Sequence, residues 1–204
     1  MPNKKTVALT VTQYRELIYT IQHGFKGCRP NNQIATVLVL EANLGIRVSD
    51  IVGIRSKYIP GLKLNSIVKD GSRYRLDIKE IKTGKARTFT VKDEVYEYIK
   101  QYCFENGIKS DEQIFKITQR TVQNHIQKAC KYLGYPNNIS THSFRKFFAT
   151  EMYTNNNYNI ILVQKLLQHS SAAVTQRYIG ISPYEIENAL NNHSYLMWWW
   201  FESP

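Results

Sequence analysis

The sequence predicts a mainly α fold with a small antiparallel β-sheet (α+β), and three observations predict it. Apolar residues recur at helical spacing over most of the 204 residues. One stretch, from about residue 65 to residue 91, changes instead to a period of two. No internal repeat or long low-complexity linker divides the chain, so 1–192 is expected to be a single domain and 193–204 an aromatic C-terminal tail. With 43% hydrophobic and 21% charged residues, such a chain can fill a core.

Taken in order, residues 1–9 are polar and basic and are expected to fray. Thr10 and Gln13 have the spacing of a capping box ahead of Tyr14, Leu17, Ile18 and Ile21, and Gly24 is a stop. The run I-A-T-V-L-V-L within Asn32–Leu44 is apolar on most sides, which marks the central helix of the fold, ended by Gly45. In the G-I-R-V-S-D that follows, Arg47 stands three residues before Asp50; on this segment alone a surface ion pair is the simpler reading. Tyr74, Leu76 and Ile78 then alternate with Arg73, Arg75, Asp77 and Lys79 as in a half-buried strand, and Phe89 and Val91 resume the pattern. Residues 73–91 therefore read as a hairpin, with Asn65–Val68 as a third strand. Its turn, I-K-T-G-K-A-R, gathers Lys79, Lys82, Lys85 and Arg87 at one exposed tip, either merely solvated or reaching across a DNA groove.

Helical spacing returns after the hairpin. Asp93 is expected to cap a helix through Val95, Tyr98, Ile99 and Tyr102 that ends near Gly107. Ile114 and Phe115 form a buried link, and Thr118 or Gln119 starts a helix through Val122, Ile126 and Ala129, stopped by Gly134 and Pro136. Lys116, Arg120, Lys128 and Lys131 give that region a basic side. Ser140 and Thr141 are good caps for a helix whose apolar face is Phe144, Phe147, Phe148 and Met152. Asn155–Asn157 break it, and Ile160–Leu167 forms a short helix that presents His169 at its end. Ser182-Pro183-Tyr184-Glu185 is a helix start, with the helix running to about Asn191. The closing Y-L-M-W-W-W-F either packs on its own domain or docks on a second protomer.

The formal charge of +11 favours a polyanionic partner, nucleic acid ahead of an anionic membrane surface. Cys28, Cys103 and Cys130 are scattered and odd in number, which argues for a reducing, cytoplasmic setting and against a disulfide framework. No apolar run is long enough to span a bilayer, and the five histidines show no metal-ligand spacing, so neither a membrane role nor a metal or other cofactor is expected. Four polar residues are harder to explain as packing. His142 and Arg145 share one face of the first turn of a helix, where free N–H groups already favour an anion. His169 and Tyr178 lie nine residues apart further on, and a phenol near imidazoles and a guanidinium suits a nucleophile aimed at phosphorus.

Arg47, Lys82, His142, Arg145, His169 and Tyr178, in this order, resemble the catalytic set of the tyrosine recombinase (phage integrase) family. The local contexts fit as well: G-I-R-V-S-D, K-T-G-K-A-R, H-S-F-R, L-L-Q-H-S and T-Q-R-Y-I-G. The likeness runs from about Thr10 to Asn192 and reverses the surface-pair reading of Arg47. It implies a tyrosine recombinase catalytic-domain fold and strand cleavage and rejoining without metal or ATP. In that reading Tyr178 attacks a backbone phosphorus, Arg47 and Arg145 grip its oxygens, and Lys82 protonates the leaving 5′-oxygen. His142 serves in proton transfer, His169 donates a hydrogen bond to the phosphate, and Asp50 is the acidic residue that supports the first histidine. Lys79, Lys85, Arg87, Arg120 and Lys128 would contact double-stranded DNA, and the resemblance implies a homo-oligomer, a tetramer, on that DNA. Most of the family carries a further N-terminal DNA-binding domain for which this chain has no room. It is expected to be either the catalytic part of a longer recombinase or a short stand-alone enzyme like the fimbrial phase-variation invertases. The competing readings are a type IB topoisomerase-like relaxing enzyme and a DNA-binding regulator that keeps the fold without catalysis.

Overall fold

A computed structural model describes residues 6–179 together with Leu190 and Asn191. The expected helix at Ser182 and the Trp198–Phe201 tail lie outside the described residues, apart from that pair. Eight helices and three strands are described: α1 (Val11–His23), α2 (Asn32–Leu44), α3 (Val48–Val52), β1 (Ile67–Asp70), β2 (Arg73–Lys79), β3 (Ala86–Val91), α4 (Asp93–Glu105), α5 (Gln119–Leu133), α6 (Thr141–Thr154), α7 (Ile160–Leu167) and α8 (Ala172–Ile179).

The strands form one antiparallel sheet in the order β1-β2-β3, with Leu76 opposite both Ile67 and Phe89. The third strand lies two residues later than expected, because Leu64–Ser66 is wound into a short 3-10 turn. Strand parity holds except at Arg75: Leu76 is buried, Tyr74 and Ile78 are half-buried, and Arg73, Asp77 and Lys79 are exposed, while Arg75 is half-covered and paired with Asp70 and Asp77.

α2 is the centre of the molecule, and α1 and α6 pack against it. Its burial on nearly every side follows from a sequence with no polar face, and Glu41 is carried inside with it. The helix ends at Gly45, which takes a left-handed conformation with φ 58°. A Cβ there would stand 2.3 Å from the Phe148 ring, so both conformation and space require glycine.

The capping box at α1 forms as read, Thr10 Oγ1 accepting from Gln13 N at 3.1 Å and Gln13 Oε1 from Thr10 N at 3.0 Å. Two local expectations change. Lys92 takes the cap position of α4, and Asp93 becomes its first residue, where its charge still faces the positive end of the helix. The segment before α1 does not fray over its described part: Leu9 is in the core, and the Thr6 carbonyl accepts from Lys146 Nζ at 2.6 Å. Beyond α6 a smaller cluster of Phe148, Ala149, Val163 and Leu167, with Met152, Tyr153, Tyr178 and Ile179 against it, docks α7 and α8.

Candidate active site

Arg47 caps α3 immediately after the Gly45 turn, between the buried residues Ile46 and Val48, so its guanidinium starts from a fixed backbone. It pairs with Glu80, not with Asp50: Arg47 Nη1 donates to Glu80 Oε2 at 2.6 Å. Glu80 follows β2, is 1% exposed, and also accepts from Thr83 Oγ1 at 2.9 Å. Burial alone would raise its pKa, but the bonds from Arg47 and Thr83 outweigh it and hold Glu80 below the usual carboxylate value. The sequence reading missed Glu80. The signal was there, since it continues the inward parity of Leu76 and Ile78 and so puts a carboxylate on the apolar face of the hairpin.

Lys82 lies on the β2–β3 loop, exposed. That loop is tied to α3 by Asp50, whose Oδ1 accepts from Ile81 N at 2.9 Å. Asp50 therefore braces the lysine loop, and neither of its oxygens bonds His142, contrary to the supporting role expected for it. Arg87 is a second correction. Its side chain is not at the exposed tip but turned inward and 4% exposed, with Nη1 donating to Gly45 O at 3.3 Å and lying 3.7 Å from Glu80 Oε1. Burial and the neighbouring Arg145 and Arg47 lower its pKa to about 10. It supports the end of α2 and offers no surface contact to DNA. Lys79 and Lys85 on the hairpin and Arg120 and Lys128 on α5 are exposed.

α6 starts with a capping box between Ser140 and Ser143, which sets the first turn so that His142 faces outward and Arg145 inward. Arg47, Lys82 and His142 line one cleft of about 470 Å³, with Lys57, Ser49 and Gln119 also on its walls. Although His142 reaches solvent, the atoms packed beneath it, then Arg145, Lys82 and Arg47, lower its pKa, so it is neutral at physiological pH. Arg145, 2% exposed, donates from Nη1 to Gly45 O at 2.5 Å and from Nη2 to Leu167 O at 3.1 Å. It thus sits at the negative ends of α2 and α7.

At the end of α7, Gln168 turns left-handed with φ 53° and presents His169. Its Nδ1 is 3.1 Å from Thr175 Oγ1, which also lies 3.3 Å from Ser171 O. The Thr175 hydroxyl donates to Ser171 O, so on the neutral imidazole Nδ1 carries the proton of the bond to Thr175. Burial, then Arg145 and Arg47, lower the His169 pKa to about 4. Its ring meets the Tyr178 ring edge-on at 4.9 Å, and Lys146 Nζ lies 5.3 Å from the Tyr178 centroid. The Tyr178 hydroxyl is shut away from water and its pKa is pushed up to about 12 by burial. The Arg145 charge works in the opposite direction, though no aligned hydrogen bond joins the two.

The six residues therefore lie on α3, the β2–β3 loop, α6, the α7–α8 link and α8. Arg47, Lys82 and His142 line the cleft, His169 and Tyr178 meet edge-on, and the Arg145 charge acts on His142, His169 and Tyr178 alike. Among the described residues, no three His, Cys, Asp or Glu side chains are placed to share a metal ion. No described helix is long and apolar enough to cross a membrane.

This fold is that of the phage integrase catalytic domains, and the chain belongs to the phage integrase family, whose model matches residues 8–184. Among its relatives is tyrosine recombinase XerC of Caldanaerobacter subterraneus subsp. tengcongensis, 27% identical over 197 residues, covering 92% of this chain and 51% of the relative. The chain thus spans about half the length of that recombinase. Two solved structures share the fold. The XerH site-specific recombinase bound to palindromic difH substrate superposes with a TM-score of 0.66 at 19% identity, over 93% of this chain and 54% of that one. The catalytic domain of bacteriophage HP1 integrase does so with 0.61 at 19% identity, over 92% of this chain and 95% of that one.

Proposed function

We propose that this chain is the catalytic part of a site-specific DNA recombinase, which cleaves and rejoins strands through a 3′-phosphotyrosyl bond on Tyr178. The observation that carries the reading is the cleft: Arg47, Lys82 and His142 line one cavity, and the Arg145 charge acts on His142, His169 and Tyr178 together. A phosphate in it would meet two guanidinium groups. Arg145 spends two of its five N–H donors on carbonyls, which leaves three for the phosphate oxygens. Those charges stabilise the pentacoordinate state as negative charge grows on it.

The Tyr178 oxygen forms the new bond to phosphorus while the bond from phosphorus to the 5′-oxygen breaks. The phenol proton goes to a base, and neutral His142 is the group in the cleft able to take it. Lys82 delivers a proton to the departing 5′-oxygen, which is otherwise too basic to leave. His169 steadies the phosphate by donating a hydrogen bond, its ring taking up a proton as the phosphate charge arrives. A 5′-hydroxyl of a new strand reverses the step, because the ester conserves the energy of the broken bond. Since the Tyr178 hydroxyl is buried and strongly protonated here, DNA must draw it into the cleft before it reacts. A homo-oligomer on double-stranded DNA, a tetramer in the simplest form, and a cytoplasmic setting belong to the same reading; the XerH structure is likewise a complex with DNA.

The test is a nicked suicide substrate run on a denaturing gel. The wild-type chain is expected to carry covalently attached DNA, and Tyr178→Phe to bind DNA without the adduct. An adduct surviving in Tyr178→Phe would move the nucleophile to another tyrosine. Relaxation of supercoiled DNA with no recombinant product would favour a topoisomerase-like enzyme instead.

A further inference from the structure

Between α3 and β1 the chain makes a tight loop whose construction the cleft residues do not explain. Ile54 and Ile59 close its stem, Ile54 N donating to Ile59 O at 2.8 Å and Ile59 N to Ile54 O at 3.2 Å. Gly53 and Gly61 stack so closely that a Cβ on Gly53 would lie 2.5 Å from both Gly61 N and Ile59 O. Gln113 braces it from the side, its Nε2 donating to Val52 O at 2.7 Å and Phe115 O at 2.6 Å. At the tip Tyr58 is held left-handed with φ 53° and is 95% exposed, just after exposed Arg55 and Lys57. A rigid stem that presents an aromatic ring wholly to solvent, in a conformation unfavourable for tyrosine, gives the fold nothing in return.

The loop is a ridge between two hollows. Ile54, Lys57 and Ile59 form a wall of the cleft that holds Arg47, Lys82 and His142. On its other side Arg55, Tyr58 and Ile59, with Lys116 and Thr118, line a second hollow of about 440 Å³. Each DNA strand carries one phosphate per about 3.4 Å of helix axis, so a wall of the cleft that seats one phosphate must lie beside the next ones along the duplex.

We propose that this loop reads the duplex beside the cut. It rests on the cleavage reading for its frame: with the reacting phosphate in the cleft, Lys57 and Arg55 hold neighbouring phosphates and Tyr58 enters the groove between the backbones, where it touches base edges. The phosphate contacts fix register and the tyrosine supplies sequence preference. The second hollow, with Lys116 on its far wall, receives the backbone that leaves the cleft.

Two measurements test this. In fluorescence anisotropy with a labelled random-sequence duplex, the double variant Arg55→Gln/Lys57→Gln is expected to lower the slope of log affinity against log salt by about two. In the same assay Tyr58→Asn, which tolerates the left-handed backbone and so spares the loop, is expected to bind roughly tenfold more weakly, near the lower end of what one base contact contributes. In covalent capture from a pool of nicked duplexes randomised around the nick, Tyr58→Asn is expected to keep forming adducts while losing base preference at one or two positions that the wild type selects. Unchanged salt slope in the double variant, or unchanged affinity and base preference in Tyr58→Asn, overturns the proposal. Failure of the wild type to capture any duplex overturns the cleavage reading instead, and the anisotropy series still decides the role of the loop.

Discussion

His169 shows how far a single residue depends on its surroundings. Its imidazole is half-buried against Tyr178 and Thr175, and desolvation with the charges of Arg145 and Arg47 lowers its pKa from 6.5 to about 4. Between those two values the unfolded chain binds more protons at this position than the folded one, so stability rises with pH there. The contribution is complete above about pH 6.5 and is lost as pH falls toward 4. Urea unfolding midpoints taken across that window are therefore expected to drop less steeply for His169→Asn than for the wild type; parallel curves would refute the burial account. Tyr178 carries the opposite sign, its raised pKa placing any loss on the alkaline side, from about 10 up to about 12. Neither shift is legible in L-L-Q-H-S or T-Q-R-Y-I-G, because both arise first from burial, which Arg145, more than twenty residues earlier, reinforces at His169 and opposes at Tyr178.

At the level of elements, the proposed reaction makes the β2–β3 hairpin the holder of a proton donor. Lys82 is exposed and hangs from a loop pinned by the Asp50 bond to Ile81 N and by Thr83 on Glu80. If Lys82 supplies the proton for the 5′-oxygen, removing either Lys82 or its brace should matter only while that oxygen is a poor leaving group. Lys82→Ala and Asp50→Ala are both expected to lose strand cleavage by about 100-fold or more, the usual worth of a positioned acid. A substrate with sulfur at the bridging 5′ position, whose thiolate leaves unaided, is expected to restore most of the rate in suicide-substrate kinetics. No recovery with sulfur would place the defect in folding or binding. The hairpin itself was readable from the alternation of Tyr74, Leu76 and Ile78, and so was the position of Lys82. The inward turn of Arg87 was legible in principle from parity, since it lies across from Ile78 in the ladder, but the basic run around it pointed to solvent. Only the packing of the sheet on the end of α2 shows that a guanidinium is wanted there, to bond the carbonyls that Gly45 and Leu44 leave unmatched.

For the whole molecule, the +11 charge favours DNA without saying where the DNA lies. The structure sorts the basic residues into those that face solvent and those that do not. Removing Arg120 or Lys128, both exposed on α5, is expected to reduce the salt slope of duplex binding by about one each, whereas Arg87→Met should leave the slope alone and lower the urea midpoint. A reduced slope in Arg87→Met would put that residue back among the DNA contacts. The order of elements, the central α2, the hairpin, most of the caps and the residue types proposed to handle a phosphate were legible in the sequence, because periodicity, capping and side-chain chemistry are local properties. Only the folded arrangement shows that Arg47 pairs with Glu80, that Asp50 holds a loop rather than a histidine, and that the Tyr178 hydroxyl is buried. Those outcomes depend on which distant groups share a desolvated space, and the strength of a charge or a hydrogen bond there is set by neighbours that no stretch of sequence contains.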